Sequence, residues 1–195
     1  PPYIPGTEGC GRVVEDPLGE IAPGTLVAWH DAPGSYAEQV VVDVVSSAFD
    51  SAGQRCSALR AVFVQSDIRD HLLAMLEGAA MELRVGDPWN PATDVGPVID
   101  AESQGIIEEH CRSFEQAGRV LFRHPLRDTG GDGLFVAPTA IALDRFDGLE
   151  REIFGPVLAI VRVDTYEDAV DLINENRFAN GTSVFTRDGK TVRSF

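Results

Sequence analysis

Basic residues are scarce in this 195-residue chain: 16 Lys and Arg stand against 31 Asp and Glu, for a formal net charge of −15. An acidic surface repels nucleic-acid phosphates and anionic lipid, so neither nucleic acid nor membrane is an expected partner. Long apolar runs are missing as well; none approaches the ~20 residues that a membrane-spanning helix needs. The N-terminal "PPYIPGTEGCG" has no basic stretch followed by an apolar one, so no secretory signal is expected. Cysteine is sparse: Cys10, Cys56 and Cys111 are scattered and odd in number. That argues against a disulfide framework and for a reducing, cytoplasmic setting. No CxxC pair or His/Cys cluster has zinc-ligand spacing, so no metal is expected. His30, His71, His110 and His124 read as surface or helix-face residues.

What is present is an ordinary globular balance, 44% hydrophobic and 24% charged, with enough apolar material for a packed core. Residues 1–42 are rich in Gly and Pro and hold short apolar runs between turn signals, "GRVVE", "TLVAWH" and "YAEQVVV". They read as short strands of a β-rich piece too small to bury a core alone. The texture changes near Asp43. "DVVSSAFDSAG" is helix-compatible up to Gly53, and "LRAVFVQ" reads as a buried strand. Ile68, Leu72, Met75, Leu76, Ala79 and Leu83 share one face of a helix, and Ser103 to Ala117 forms another. "RVLF", "FVAPTAIAL" and "VLAIVRV" read as strands, Thr165 with Asp168 as a capping box opening a helix to Asn176, and "TSVFT" as a last strand. Strands alternating with helices from Asp43 onward predict an α/β domain with a largely parallel sheet.

Cys56 is the first candidate for chemistry. It follows Gly53-Gln54-Arg55, between a predicted helix and a predicted strand. A thiol becomes a nucleophile where a cation or backbone N–H groups stabilise its thiolate. Cysteine is equally a small, readily buried hydrophobe, and on local chemistry both readings stand. Cys10 among glycines and Cys111 in a predicted helix read as inert. Trp89 in "DPWNP" reads as part of a structural turn.

Four stretches together carry a resemblance. "SAGQRCSALR", "LRVGDPWNPATDVGPVID", "GLFVAPTAIAL" and "EREIFGPVLAIVRV" resemble, in order and spacing, segments of the aldehyde dehydrogenase catalytic domain. "QRCSALR" and "ELRVGDPW" look most like the glutamate-γ-semialdehyde dehydrogenase of bifunctional proline-utilisation enzymes. The tail "NENRFANGTSVFTRDGKTVRSF" looks more like the methylmalonate-semialdehyde branch. The resemblance implies a small aldehyde substrate and NAD or NADP as cofactor. It implies Cys56 as the nucleophile, with its own backbone N–H as one oxyanion donor. It also implies Glu152 on the nicotinamide ribose, Phe154 beside the nicotinamide, Ser57 against the substrate, and a homo-oligomer as a candidate assembly. Outside the resemblance, Glu152 reads as a solvated loop carboxylate and Phe154 as a core aromatic.

Residues 1–42 resemble something else. "YIPGTEGCGRVVE" and "LVAWHDAPGSYAEQVVV" look like the GroES-like N-terminal part of a quinone oxidoreductase, of the zinc-free kind because Thr7 stands where zinc-dependent members have His. Glu8 would be structural there. "GTEGCG" does not follow a strand and open a long helix, so it is not read as a dinucleotide site. The expected organisation is a GroES-like segment, 1–42, joined in a chimeric or rearranged frame to an incomplete catalytic domain, 43–195. No stretch before Cys56 resembles the family's glycine-rich turn, its second oxyanion-hole donor or its general base. The chain alone is therefore expected to be inactive in hydride transfer, with a non-catalytic folding or interaction module and a quinone reductase fragment as the alternatives.

Overall fold

A computed structural model describes residues 9–12, 26–29, 35–127, 129, 133–144, 151–176, 178, 180–186 and 189–194. Thr7, Glu8, His30 and Glu150 lie outside them, as do the side chains before Val40. The chain divides into two units, residues 1–40 with 182–195, and residues 41–181. In the first, β1 (Gly9–Arg12) pairs antiparallel with β2 (Leu26–Trp29); β2 lies within "TLVAWH", whereas β1 starts two residues before "GRVVE" and shares only Gly11 and Arg12 with it.

The third run, "YAEQVVV", is not a strand. It opens α1 (Ser35–Phe49), which continues unbroken past residues 42 and 43. Its β-branched valines favour a strand by propensity, but tertiary burial decides. Val41, Val44, Val45, Ala48 and Phe49 are all buried while Val42 is 57% exposed, a helical spacing that alternation cannot produce.

The second unit is built on a four-stranded sheet in the order β3 (Ala61–Gln65), β6 (Val157–Val163), β5 (Thr139–Leu143), β4 (Val120–Arg123). β3, β6 and β5 run parallel; β4 is antiparallel to β5. The fold is thus α/β with a mostly parallel sheet and flanking helices. The central strand β6 is buried at every position except Arg162, as its unbroken apolar run requires. "FVAPTAIAL" joins the sheet only from Thr139, because Pro138 has no N–H for the ladder.

α2 (Arg69–Met81) buries Leu72, Leu76 and Ala80, so its inward face is turned from the expected one and Ile68 is 52% exposed. α3 (Ala101–Gln116) starts at Asp100, whose carboxylate accepts from Ser103 N–H at 2.7 Å; that bond holds the carboxyl below its ordinary pKa. It packs against β4 and β5 with Ile107 and Cys111 buried. α4 (Tyr166–Glu175) has the full capping box between Thr165 and Asp168 and packs on β6. A short α5 (Gly189–Ser194) belongs to the first unit.

Two further expectations change. "TSVFT" forms no strand: a β-prone run becomes one only where a neighbouring ladder takes its hydrogen bonds. His124 is buried, not on the surface. Its N–H still bonds Pro138 O at 2.9 Å, which carries the ring inward past the end of β4. There its Nδ1 accepts from Leu126 N–H, and burial pushes its pKa down. His71 is exposed on α2, and His110 is half-buried on α3 against Phe114. No described helix is long and apolar enough to cross a membrane.

The phase of α1 is directly testable. In a strand Val42 and Val44 would share a face; in this helix only Val44 is buried. Val44→Ala should cost about 1.5–3 kcal/mol in urea unfolding and Val42→Ala about 0.5 kcal/mol or less. Equal costs would contradict the helix.

Candidate functional site

After Phe49 the chain stops being a right-handed helix. Ser51, Ala52 and Gly53 have φ of 57°, 52° and 65°, three left-handed residues in succession. Such residues usually occur singly, and each non-glycine costs roughly 1–2 kcal/mol. The reversal swings the chain into a tight turn closed by Ala58 N–H on Arg55 O at 3.0 Å. Cys56 and Ser57 occupy its tip and both are exposed. Cys56 is a free thiol.

Hydrogen bonds from several sides hold this turn. Arg55 donates to Ser46 O and Ser47 O, and Leu59 N–H to Ser47 O, so the last carbonyls of α1 are capped by a cation and an amide. Gln54 Nε2 donates to Pro97 O at 3.3 Å and its Oε1 accepts from Ile99 N–H at 2.8 Å. The glutamine of "GQRC" therefore fixes the "GPVID" segment that leads into α3. Asn180 donates to Cys56 O at 2.5 Å. Asp50, just before the reversal, has its carboxyl pKa raised by burial against the opposing pull of Arg55.

A second turn, "EIFGP", lies against the first. A Cβ on Gly53 would stand 2.2 Å from Gly155 O, and a Cβ on Gly155 would stand 2.6 Å from the Ile107 side chain. Only glycine at both places allows the two turns and α3 to close up. Glu152 and Phe154, expected near a cofactor, sit on this second turn. Glu152 is paired with Arg60, and the Phe154 ring, 44% exposed, lies 4.7 Å beneath the Arg60 guanidinium. Phe154 is thus not a core aromatic.

Arg60 escaped the sequence reading. It donates from Nε to Glu152 Oε1 at 3.0 Å, from one terminal nitrogen to Gly53 O at 2.7 Å and Gly155 O at 3.4 Å, and from the other to Arg55 O at 3.1 Å. Its own carbonyl accepts from Ala159 N–H, anchoring it to β6. One signal did exist: a cation at the mouth of an apolar strand needs partners, because charge is rarely tolerated there unpaired.

Cys111 is the opposite of Cys56. It is wholly buried, and burial pushes its thiol pKa up. Among the described residues no group of three His, Cys, Asp or Glu is placed to hold a metal ion.

Gly53→Ala should lower stability by more than the ~1–2 kcal/mol left-handed penalty, because its Cβ meets backbone and not a flexible side chain. A urea midpoint unchanged from wild type would contradict the close approach.

The profile of the aldehyde dehydrogenase family matches residues 28–195. The bifunctional protein PutA of Klebsiella aerogenes is 43% identical over 190 residues, covering 91% of this chain and 14% of that protein. A crystal structure of a Bradyrhizobium japonicum proline utilization A variant superposes with a TM-score of 0.75 at 40% identity, over 81% of this chain and 16% of that one. The methylmalonate-semialdehyde dehydrogenase of Oceanimonas doudoroffii gives a TM-score of 0.74 at 34% identity, over 82% and 34%. The chain therefore spans a small part of the curated PutA relative it matches. On the extent of the family match and the agreement of fold, the chain belongs to the aldehyde dehydrogenase family.

Proposed function

We propose that this chain carries the nucleophile turn and the cofactor-side turn of an NAD(P)-dependent semialdehyde dehydrogenase, with glutamate-γ-semialdehyde as the favoured substrate. The observation that carries the reading is the contact between the two motif turns: an exposed thiol at one tip and an exposed carboxylate–aromatic pair on the other, held by shared bonds. The substrate preference rests on the "QRCSALR" wording and its likeness to proline-utilisation enzymes.

In this reading the Cys56 thiolate adds to the aldehyde carbon. A C–S bond forms, and the carbonyl π pair moves to oxygen, where the Cys56 N–H donates to it. Collapse of that oxyanion expels hydride and leaves a thioester, which water hydrolyses to the acid and the free thiolate. NAD or NADP supplies the hydride acceptor when bound. Glu152 would accept from a ribose hydroxyl and Phe154 would lie along the nicotinamide. The pair fits that end of a dinucleotide because an acceptor and an apolar face stand side by side and open to solvent. Ser57, beside Cys56 at the turn tip, would contact substrate.

The division into 1–42 and 43–195 remains our proposal for the ancestry of the chain, favoured by the antiparallel β1–β2 pair. A reducing cytoplasmic location is proposed from the free, exposed Cys56. A homo-oligomer is proposed from the outer edge of β3, since sheet edges invite pairing.

Two measurements test the function. An activated ester such as p-nitrophenyl acetate should release a one-equivalent burst of nitrophenolate, with the acetyl group on Cys56 by peptide mapping. Cys56→Ala should abolish the burst; acetylation no faster than a free thiol would overturn the nucleophile reading. These 195 residues alone should form no NADH from glutamate-γ-semialdehyde. NADH formation that Cys56→Ala abolishes would show that the hydride step needs nothing further.

A further inference from the structure

We propose that Arg60 is the positioning residue that couples the nucleophile turn to the cofactor-side turn, aligning Cys56 through the backbone of one and Glu152 with Phe154 on the other. This rests on the functional reading above.

The geometry requires a guanidinium and not simply a positive charge. Four acceptors converge on it: Gly53 O and Arg55 O from the first turn, Gly155 O and Glu152 Oε1 from the second. Its flat face covers the Phe154 ring. A planar fork with five donors meets this set and stacks at the same time; a lysine ammonium has three donors and no face. Arg60 is also rooted on the β3–β6 ladder through its carbonyl, so the fork is held by the sheet and not by a loop. Its side chain is 17% exposed, so these bonds are only partly screened by water, whereas the Glu152 carboxylate is 43% exposed.

The Glu152 bond engages Oε1 of a carboxylate that is 43% exposed to solvent. Holding Glu152 by one oxygen sets the carboxylate plane before a sugar hydroxyl arrives, so less ordering remains to be done on binding. Arg55 O is also the acceptor that closes the Cys56 turn through Ala58 N–H. The same guanidinium therefore touches the peptide immediately before the nucleophile. Displacement of such a support by an ångström costs reactivity out of proportion to stability.

The test uses the full chain, with Cys111 as an internal control. Cys111 is wholly buried, so it reacts with iodoacetamide only when the core opens. Acetylation of Cys56 by p-nitrophenyl acetate should slow about ten- to a hundredfold in Arg60→Lys and in Arg60→Ala. Cys111 should stay protected in both. Adding Phe154→Leu to Arg60→Lys should slow the reaction little further, because both changes remove the same support. A wild-type rate in Arg60→Lys, exposure of Cys111 in step with the loss, or fully multiplicative effects of the two substitutions would each overturn the proposal. Absence of the burst in wild type is a different failure: it removes the nucleophile reading, and the role of Arg60 with it.

Discussion

A guanidinium at the mouth of an apolar, half-buried strand must have its charge and its donors answered, and the candidate site is the answer. Arg60 opens the apolar run of β3, where an unpaired cation would be costly. Three backbone carbonyls, one carboxylate and one aromatic face supply what water would have supplied. The partners come from two turns far apart in sequence. Satisfying one side chain therefore brings the thiol-bearing turn and the Glu152–Phe154 turn to one place.

The close approach has its own requirements. Gly53 against the backbone of Gly155, and Gly155 against Ile107, leave no room for a β-carbon. Left-handed residues at 51 and 52 give the chain a reversal sharp enough to reach that position from the end of α1. Strain of this kind persists only where the surroundings over-determine it. Here Arg55 on the α1 carbonyls, Gln54 on the 97–99 segment and Asn180 on the Cys56 carbonyl hold the reversal from three directions.

Much of the fold was legible because its signals are local. The short, β-branched apolar run Val157–Val161 read as a buried strand, and the Thr165–Asp168 box marked its helix start to the residue. The first half of α1, "YAEQVVV", was misread because valine-rich sequence looks like a strand until the burial of Val41 beside an exposed Val42 is known, whereas its continuation from Asp43 was read as helix-compatible. "TSVFT" has strand propensity but no ladder. His124 gave no sign that its backbone would follow the sheet inward. At the site, Cys56, Glu152 and Phe154 were reachable only through motif resemblance. Arg60 gave only the hint of a cation at the mouth of an apolar strand, and Asn180 gave none; their distant partners, Glu152 and Cys56, lie 92 and 124 residues from them. Topology gives no shortcut either. Open parallel sheets usually bind ligands beyond the carboxyl ends of their strands, whereas both turns here precede their strands, at the N-terminal ends of β3 and β6.

The most direct test of the account is the side-chain Nε–H signal of Arg60 by NMR in the isotopically labelled chain. A guanidinium bonded to Glu152 and stacked on Phe154 should give a resolved signal, slow to exchange with water, with cross-peaks to the Phe154 ring protons. A fast-exchanging signal at the position of free arginine would mean that the two turns are not joined in solution, and the site as described would not exist there.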